Sequence, residues 1–512
     1  MVDMDGADFG VIAEQVHAHA QAEPGRTALV EGDRRLDYAG LDALMDRVAA
    51  ALQRDGARPG DAIALCATMS VDYAAVFLGA LRAGLVVAPL APGSTTTSLA
   101  RMLADAEARW LFADATVELP EPDAAIARIA LDGSDVGQAL AHWLAEPGTA
   151  VQPVTPRPEW PFNIIYSSGT TGEPKGIVQP HGMRWAHVRR GAAYGYGADT
   201  ITLLATPLYS NTTLVVFFPT IARGGCVVLM PKFDAAGYLK LGERHRVTHT
   251  MLVPVQYQRL MARPDFDAHD LSSYRYKFST SAPFSATVKA DVLARWPGQL
   301  VEFYGMTEGG GTCILDACAN PDKLHTVGRP AEGHDIRLID DAGVEVAAGA
   351  AGEVVGHSAS MMIGYHKQPE KTAEAEWYDP SGKRFIRTGD VGRFDADGFL
   401  TLFDRKKDMI ISGGFNIYPS DLEAVLVDHP AVSEVSVVGV PSEVWGETPV
   451  GFVVRAAGVD ASAEELLQWV NSRVGKTQRL AALHFVDELP RSAIGKVLKR
   501  ELRERHTGGT LG

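Results

Sequence analysis

The sequence predicts an α/β protein: a large N-terminal domain of helix-covered, mostly parallel sheets, followed by a small C-terminal α+β domain. Three observations predict it. Short apolar runs alternate with segments whose apolar residues recur three to four apart, the pattern of strands taking turns with helices in a covered parallel sheet. The 512 residues exceed what one core holds at roughly 100–200 residues per domain. After Phe403 the pattern changes to short alternating strands with two capped helices.

Taken in order, residues 41–52 carry helical spacing, DAIALCA is a buried strand, and a second helix starts at Val71. VVAPL and WLFAD are two more strands, separated by a helix around residues 99–103. The Ala/Pro-rich region 115–160 is expected to be a variable connector or surface arm. CVVLM, THTMLVP, YKFSTS and LVEFYG each run from strand into loop, and sheets of this kind bind ligands at the carboxyl ends of their strands. Ser420 with Glu423 and Ser462 with Glu465 are spaced as capping boxes, and a last helix is expected from Val497. The expected division is 1–403, a junction at 404–407, and 408–512.

Charge and composition exclude several function classes. A net charge of −15, from 48 basic and 63 acidic residues, opposes binding to nucleic acid or anionic lipid. Any phosphate must therefore be held by a local site. Cys66, Cys226, Cys313 and Cys318 show no paired CxxC spacing, which fits a reducing, cytoplasmic compartment without disulfides or a zinc cluster. The long apolar stretch near residues 71–92 is broken by Asp72, Arg82 and glycines, so no membrane span is expected. The acidic N-terminus lacks the order of a secretory signal.

The most informative segment is YSSGTTGEPKG, residues 166–176. It follows the apolar run FNII, so a strand delivers Ser167, Ser168, Gly169, Thr170, Thr171, Gly172 and Lys175 to an exposed turn. Glycines there let backbone amides approach a polyphosphate, hydroxyls add donors, and the lysine adds charge without bulk. A Walker A loop would need lysine directly after glycine and then Ser or Thr, so a P-loop nucleotidase is disfavoured. A plain Gly/Ser surface loop is the alternative, opposed by the two hydroxyl pairs and the Pro-Lys-Gly close.

Five further segments follow in order: TPLYSN at 206–211, YGMTE at 304–308, RTGD at 387–390, DRKKDMIISGGFNIYP at 404–419 and PRSAIGK at 490–496. Together with the first they resemble the signatures of the adenylate-forming (ANL) superfamily of acyl- and aryl-CoA ligases, peptide-synthetase adenylation domains and beetle luciferases. The resemblance covers almost the whole chain and is nearest to benzoate-, chlorobenzoate- and hydroxycinnamate-type CoA ligases. It implies an AMP-forming acyl-CoA synthetase. Such an enzyme uses ATP and Mg²⁺ to adenylate a carboxylic acid, releasing pyrophosphate, and then passes the acyl group to coenzyme A, releasing AMP. A smaller β subdomain and a mobile C-terminal domain are implied as well, and a homodimer is compatible with the resemblance.

The roles carried over rest on the motifs, since an isolated tyrosine, glutamate or lysine is more often core or surface. Tyr304 would offer its face to adenine, Thr307 a hydroxyl to the α-phosphate, and Glu308 an oxygen to Mg²⁺. Ser281, Ala282 and Pro283 would join the nucleotide site, and Asp390 with Arg405 would take the ribose hydroxyls. Standing alone, RTGD would be only a Gly-Asp turn. Lys496 would bridge the attacking carboxylate and the α-phosphoryl oxygens, Lys407 would be the hinge, and Gly413 and Gly414 would border the thiol tunnel.

The sequence also departs from the family's pattern. Ser210 follows Tyr209 where many relatives carry a histidine, and FSTSAPFS, residues 278–285, lacks the usual run of small residues. Acetate-activating relatives place a tryptophan where Gly305 stands, which implies an acyl group larger than acetate or propionate. An aromatic, arylalkanoic or hydroxycinnamic acid is expected, a medium-chain fatty acid next. Tyr209, Ser210, Phe217, Phe218, Ser279, Gly305 and Gly309 are the expected acyl-pocket residues. The rival is a stand-alone adenylation enzyme loading a carrier-protein phosphopantetheine, although WGETP at 445–449 resembles CoA-ligase sequences. A luciferase-like oxygenase is disfavoured, and a non-catalytic nucleotide-binding protein would be expected to lack Lys496 or Glu308.

Overall fold

The computed structural model describes residues 8–167, 175–405, 408–412, 415–442, 444–475, 478–492 and 496–507. Ser168, Gly169, Thr170, Thr171, Gly172, Lys407, Gly413 and Gly414 lie outside the described residues, as do the side chains of Ser167 and Arg405. Packing divides the chain into one unit of Met1–Leu324, Pro330–Asp335 and His357–Ile386, and another of His325–Arg329, Ile336–Gly356 and Arg387–Gly512. The packing boundary falls ahead of residue 404 because strands Arg384–Phe394 and Leu400–Arg405 pair as an antiparallel hairpin.

In the first unit the expected strands, with Ile201–Leu204 in addition, build two sheets. One runs Cys226–Leu229, Ile201–Leu204, His249–Leu252, Tyr276–Ser279 and Gln299–Gly305, all parallel, with Thr312–Asp316 antiparallel beside the last. The other has Ala62–Cys66 at its centre, parallel to Val86–Pro89 and Trp110–Ala113, with Pro161–Ser167 parallel to Val86–Pro89. Residues 115–160 are more than a connector, because Ala127–Ala130 and Gln138–Ala139 extend this second sheet in parallel. Their short, half-exposed edge carries too little apolar signal to be read as strand.

Helices Tyr38–Arg54, Val71–Arg82 and Asn211–Ala222 contribute to the largest core together with residues of both sheets. Ten of the twelve residues of Val71–Arg82 are buried, so this helix is apolar all round because it is covered all round. A Cβ on Gly79 would lie 2.6 Å from Val48 Cβ, and the missing side chain permits that helix contact. No helix among the described residues is long and apolar enough to cross a membrane.

In the second unit, strands Val432–Ser442 and Gly446–Arg455 pair antiparallel, with Ala482–Phe485 alongside. Alternation puts Val437 and Val453 in a core with Leu422, Leu426, Leu466 and Val470, and Val438, Val450 and Phe452 in another with Leu502. Ser462 and Glu465 form the expected capping box of helix Ala463–Asn471. Ser420 does not cap: helix Pro419–Val427 begins at proline with Tyr418 as its cap, and Glu423 instead accepts from the Val437 amide at 2.7 Å. Proline at the first helical position fixes the start one residue before the serine. The last helix runs Lys499–Thr507, starting two residues past Val497.

Candidate active site

Within the first unit the motif residues gather where parallel strands end. Strand Tyr276–Ser279 delivers Ser281, Ala282 and Pro283, and strand Gln299–Gly305 delivers Tyr304, Gly305, Thr307 and Glu308. Ser281 is held left-handed at φ 81°, and its hydroxyl lies 2.6 Å from Thr212 Oγ1 on helix Asn211–Ala222. Such a backbone costs of order 1–3 kcal/mol in a non-glycine residue and concentrates at ligand sites. Ser279 Oγ is fully buried with no hydrogen-bond partner among the described residues, an atom suited to a polar group of a bound ligand.

Two segments remote in sequence brace Thr307 and Glu308. The Tyr365 hydroxyl donates to Glu308 Oε1 at 2.9 Å, the Met362 amide donates to the Glu308 carbonyl at 2.8 Å, and Gln179 Nε2 donates to the Thr307 carbonyl at 2.6 Å. Burial and then the Glu308 carboxylate push the Tyr365 phenol up, so it remains a donor at neutral pH. Lys175 Nζ sits 5.0 Å from the centroid of the same tyrosine ring. The lysine of YSSGTTGEPKG and the acidic residue of YGMTE therefore meet on one side chain. Tyr365 was not among the sequence candidates; it reaches the site because Gly364–Tyr365 pairs antiparallel with strand Lys175–Pro180.

Gln179 belongs to a buried polar chain that sequence reasoning also missed. Its Oε1 accepts from Asn163 Nδ2 at 2.9 Å and from Arg184 Nη2, while Arg184 Nε donates to Asn163 Oδ1 at 2.9 Å. Arg184 lies 6.0 and 5.8 Å from the ring centroids of Phe162 and Phe218, and burial lowers its pKa to about 9. It stays protonated at neutral pH. The available signal was polar residues at Asn163 and Gln179 inside otherwise apolar strands.

The acyl-pocket candidates separate into two groups. Phe217 and Phe218 are fully buried in the core, where Phe218 packs edge-on to Phe77 and Phe162 at 5.6 and 5.1 Å. Their helix neighbours Val215, Val216 and Pro219 line a small cavity with Met251, Phe278 and Phe303. Ser210 is buried and caps helix Asn211–Ala222, accepting from the Thr212 amide at 3.3 Å, so the residue at the family's histidine position serves a helix end. Tyr209 beside it is half-buried, and burial raises its phenol. A Cβ on Gly305 would lie 3.3 Å from the Gly311 carbonyl oxygen and from Thr312 Oγ1. Gly309, at φ 75°, would place one 2.4 Å from the Ser360 carbonyl oxygen, so only glycine fits.

No cluster of three or more His, Cys, Asp or Glu among the described residues could hold a metal. Glu308, with Tyr365 engaging only Oε1, fits an ion shared between one carboxylate and nucleotide phosphates, the usual manner of Mg²⁺. Among the second unit's residues, Asp390 stands directly across from Arg405 in the strand pairing. The Asp390 amide donates to Thr388 Oγ1 at 3.0 Å. The Lys496 carbonyl accepts from the Ser492 amide at 2.8 Å.

Lys175 and a carboxylate able to take Mg²⁺, brought to one tyrosine at the strand ends of a parallel-sheet domain, are compatible with a nucleotide-using enzyme. Comparison with known proteins makes it specific. The AMP-binding enzyme family matches residues 16–366 and the AMP-binding enzyme C-terminal domain matches residues 421–496. The chain belongs to this family and is an AMP-forming acyl-CoA synthetase that uses ATP, Mg²⁺ and coenzyme A. It is 34% identical over 498 residues to a feruloyl-CoA synthase of Amycolatopsis, covering 95% of this chain and 97% of that protein. It is 32% identical over 509 residues to the fatty acid–[acyl-carrier-protein] ligase ScoC of Streptomyces coeruleorubidus, covering 96% and 95%. Among solved structures, ATP-bound MatB of Rhodopseudomonas palustris superposes with a TM-score of 0.86 at 28% identity, covering 96% of this chain and 99% of that one.

Proposed function

We propose that this synthetase activates an aromatic, arylalkanoic or hydroxycinnamic acid, with medium-chain fatty acids as the next class, and that coenzyme A is the acceptor. The observation that carries the reading is the cavity beside the strand ends. Phe278 and Phe303 wall it one residue ahead of Ser279 and Tyr304, and Gly305 presents the same strand face as Phe303. Aromatic walls suit a planar ring, although His187 and Arg190 belong to the same lining.

In this reading Lys175, Thr307 and Glu308 meet the phosphates, Tyr304 the adenine, and Asp390 with Arg405 the ribose. The acid's carboxylate oxygen bonds to the α-phosphorus as pyrophosphate leaves, while Lys496 neutralises the charge gathering there. The thiol then attacks the acyl carbonyl and AMP departs, with Lys407 as pivot, Gly413 and Gly414 beside the thiol, and residues 408–512 as the moving domain. The test is pyrophosphate release across aromatic, cinnamic, arylalkanoic and C4–C12 acids, with coenzyme A or a phosphopantetheinylated carrier as acceptor. Release with ring acids and thioester on coenzyme A supports the reading. A clear preference for the carrier would transfer the acceptor role to it, and release with fatty acids alone would remove the ring substrate.

A further inference from the structure

We propose that the acyl pocket carries a second anion subsite built around Arg190, so that the acid activated is a ring-containing dicarboxylate whose distal carboxylate meets that guanidinium. This rests on the acyl-activating reading above and narrows its substrate class.

Arg190 ends helix His181–Arg190 and lines the cavity, its guanidinium 5.2 Å from the centroid of Phe303. No hydrogen bond or ion pair among the described residues answers this charge, and the Phe303 ring lies against it. Other inward-facing arginines of the same unit are answered: Arg82 by Asp42, Arg184 by Asn163 and Gln179, and Arg223 by the Val188 carbonyl. Two further polar atoms are left open in the same cavity. His187 lies three residues back on the helix, with Nδ1 buried and unpartnered, and Tyr196 is 6% exposed with its hydroxyl unpartnered. Native folds rarely retain buried polar atoms without partners, and the two at His187 and Tyr196, on the same cavity as an arginine with no anionic partner among the described residues, indicate a ligand group that completes them.

The chemistry of that group follows from the donors. A guanidinium presents a planar fork that matches a carboxylate, and a phenol O–H adds a further donor. Burial, with Arg190 as the next cause, pushes His187 well below its usual range, so it is a neutral imidazole. A plain aryl or alkyl tail would offer the guanidinium no anionic partner. The reacting carboxylate cannot itself be the occupant. Phe303 lies two residues before Gly305 and ahead of the loop bearing Thr307 and Glu308, about 7 Å along the strand at its usual rise, and Arg190 sits against the Phe303 ring. A ring between the two carboxylates would span a separation of that order.

The test compares kcat/KM for pyrophosphate release among three acids on one aryl scaffold, bearing a distal carboxylate, carboxamide or methyl group. The diacid is expected to exceed the methyl acid by about a hundredfold. That ratio should collapse to within about threefold in Arg190→Met and fall about tenfold in Tyr196→Phe. Because each ratio is taken within one preparation, partial unfolding of a variant cancels. A methyl or carboxamide acid used as well as the diacid, or a ratio that survives Arg190→Met, overturns the subsite and leaves the ligase reading intact. No release with any acid removes the ligase reading and the subsite with it.

Discussion

Tyr365 keeps opposite charges apart while tying them to one place. Its hydroxyl holds Glu308, its ring faces Lys175, and so the lysine and carboxylate have a spacer between them instead of a direct ion pair. Tyr365→Phe keeps the ring and deletes the donor. Hydrogen bonds to charged groups are worth about 1.5–3 kcal/mol, less where solvent reaches, so pyrophosphate release should fall about tenfold and need more Mg²⁺. Titrating Mg²⁺ against initial rate for both proteins checks this; an unchanged Mg²⁺ curve would remove Tyr365 from the ion's surroundings. At this scale the sequence was legible only in part. Glu308 and Lys175 lie in contiguous motifs, whereas Tyr365 reaches them through strand pairing that no local pattern announces. Phe217 and Phe218 show the converse, since a helix that is apolar all round does not declare which of its faces meets the cavity.

Among elements, the parallel strands were legible because each is a short apolar run, whereas their order in the sheets was not, since it crosses over between strands distant in sequence. The two strands within residues 115–160 were not, since they are short and lie at an edge. The sheet also carries a pH dependence. His249 sits fully buried, its Nε2 donating to the Tyr194 carbonyl at 2.8 Å, and burial, partly offset by that bond, lowers its pKa from 6.5 to about 4. His181, at the start of helix His181–Arg190, is lowered to about 4 by burial as well. Between the folded and unfolded values the unfolded chain binds a proton that the native chain refuses, so stability is lost as pH falls from about 6.5 to 4. Each histidine contributes on the order of 3 kcal/mol to that loss. Thermal unfolding across this window should show a falling Tm, with a shallower slope for His249→Gln. Parallel slopes in the two proteins would assign the acid lability elsewhere.

At the scale of the whole molecule, Lys175, Thr307 and Glu308 belong to one packing unit, while Asp390, Arg405 and Lys496 belong to the other. The collinear motifs made the chemistry legible, because each half-reaction has its own signature segments. The substrate was not legible, because Arg190, His187 and Tyr196 stand outside every motif and acquire meaning only where a cavity brings them together. If Lys496 serves adenylation alone, Lys496→Ala should lower pyrophosphate release about a hundredfold or more while sparing thioester formation from supplied acyl-adenylate, because only the first step gathers charge at the α-phosphate. Equal loss in both steps would make the lysine a structural support. Lys407→Pro probes the exchange between steps, since proline fixes φ near −65° at the residue that would have to turn. Thioester formation from supplied adenylate should then fall about tenfold, with adenylation within about threefold, as expected when a domain rearrangement gates only the later step. Burst experiments that follow pyrophosphate and thioester separately give both numbers from one preparation. A slowed first step with a normal second would place the pivot elsewhere in the chain.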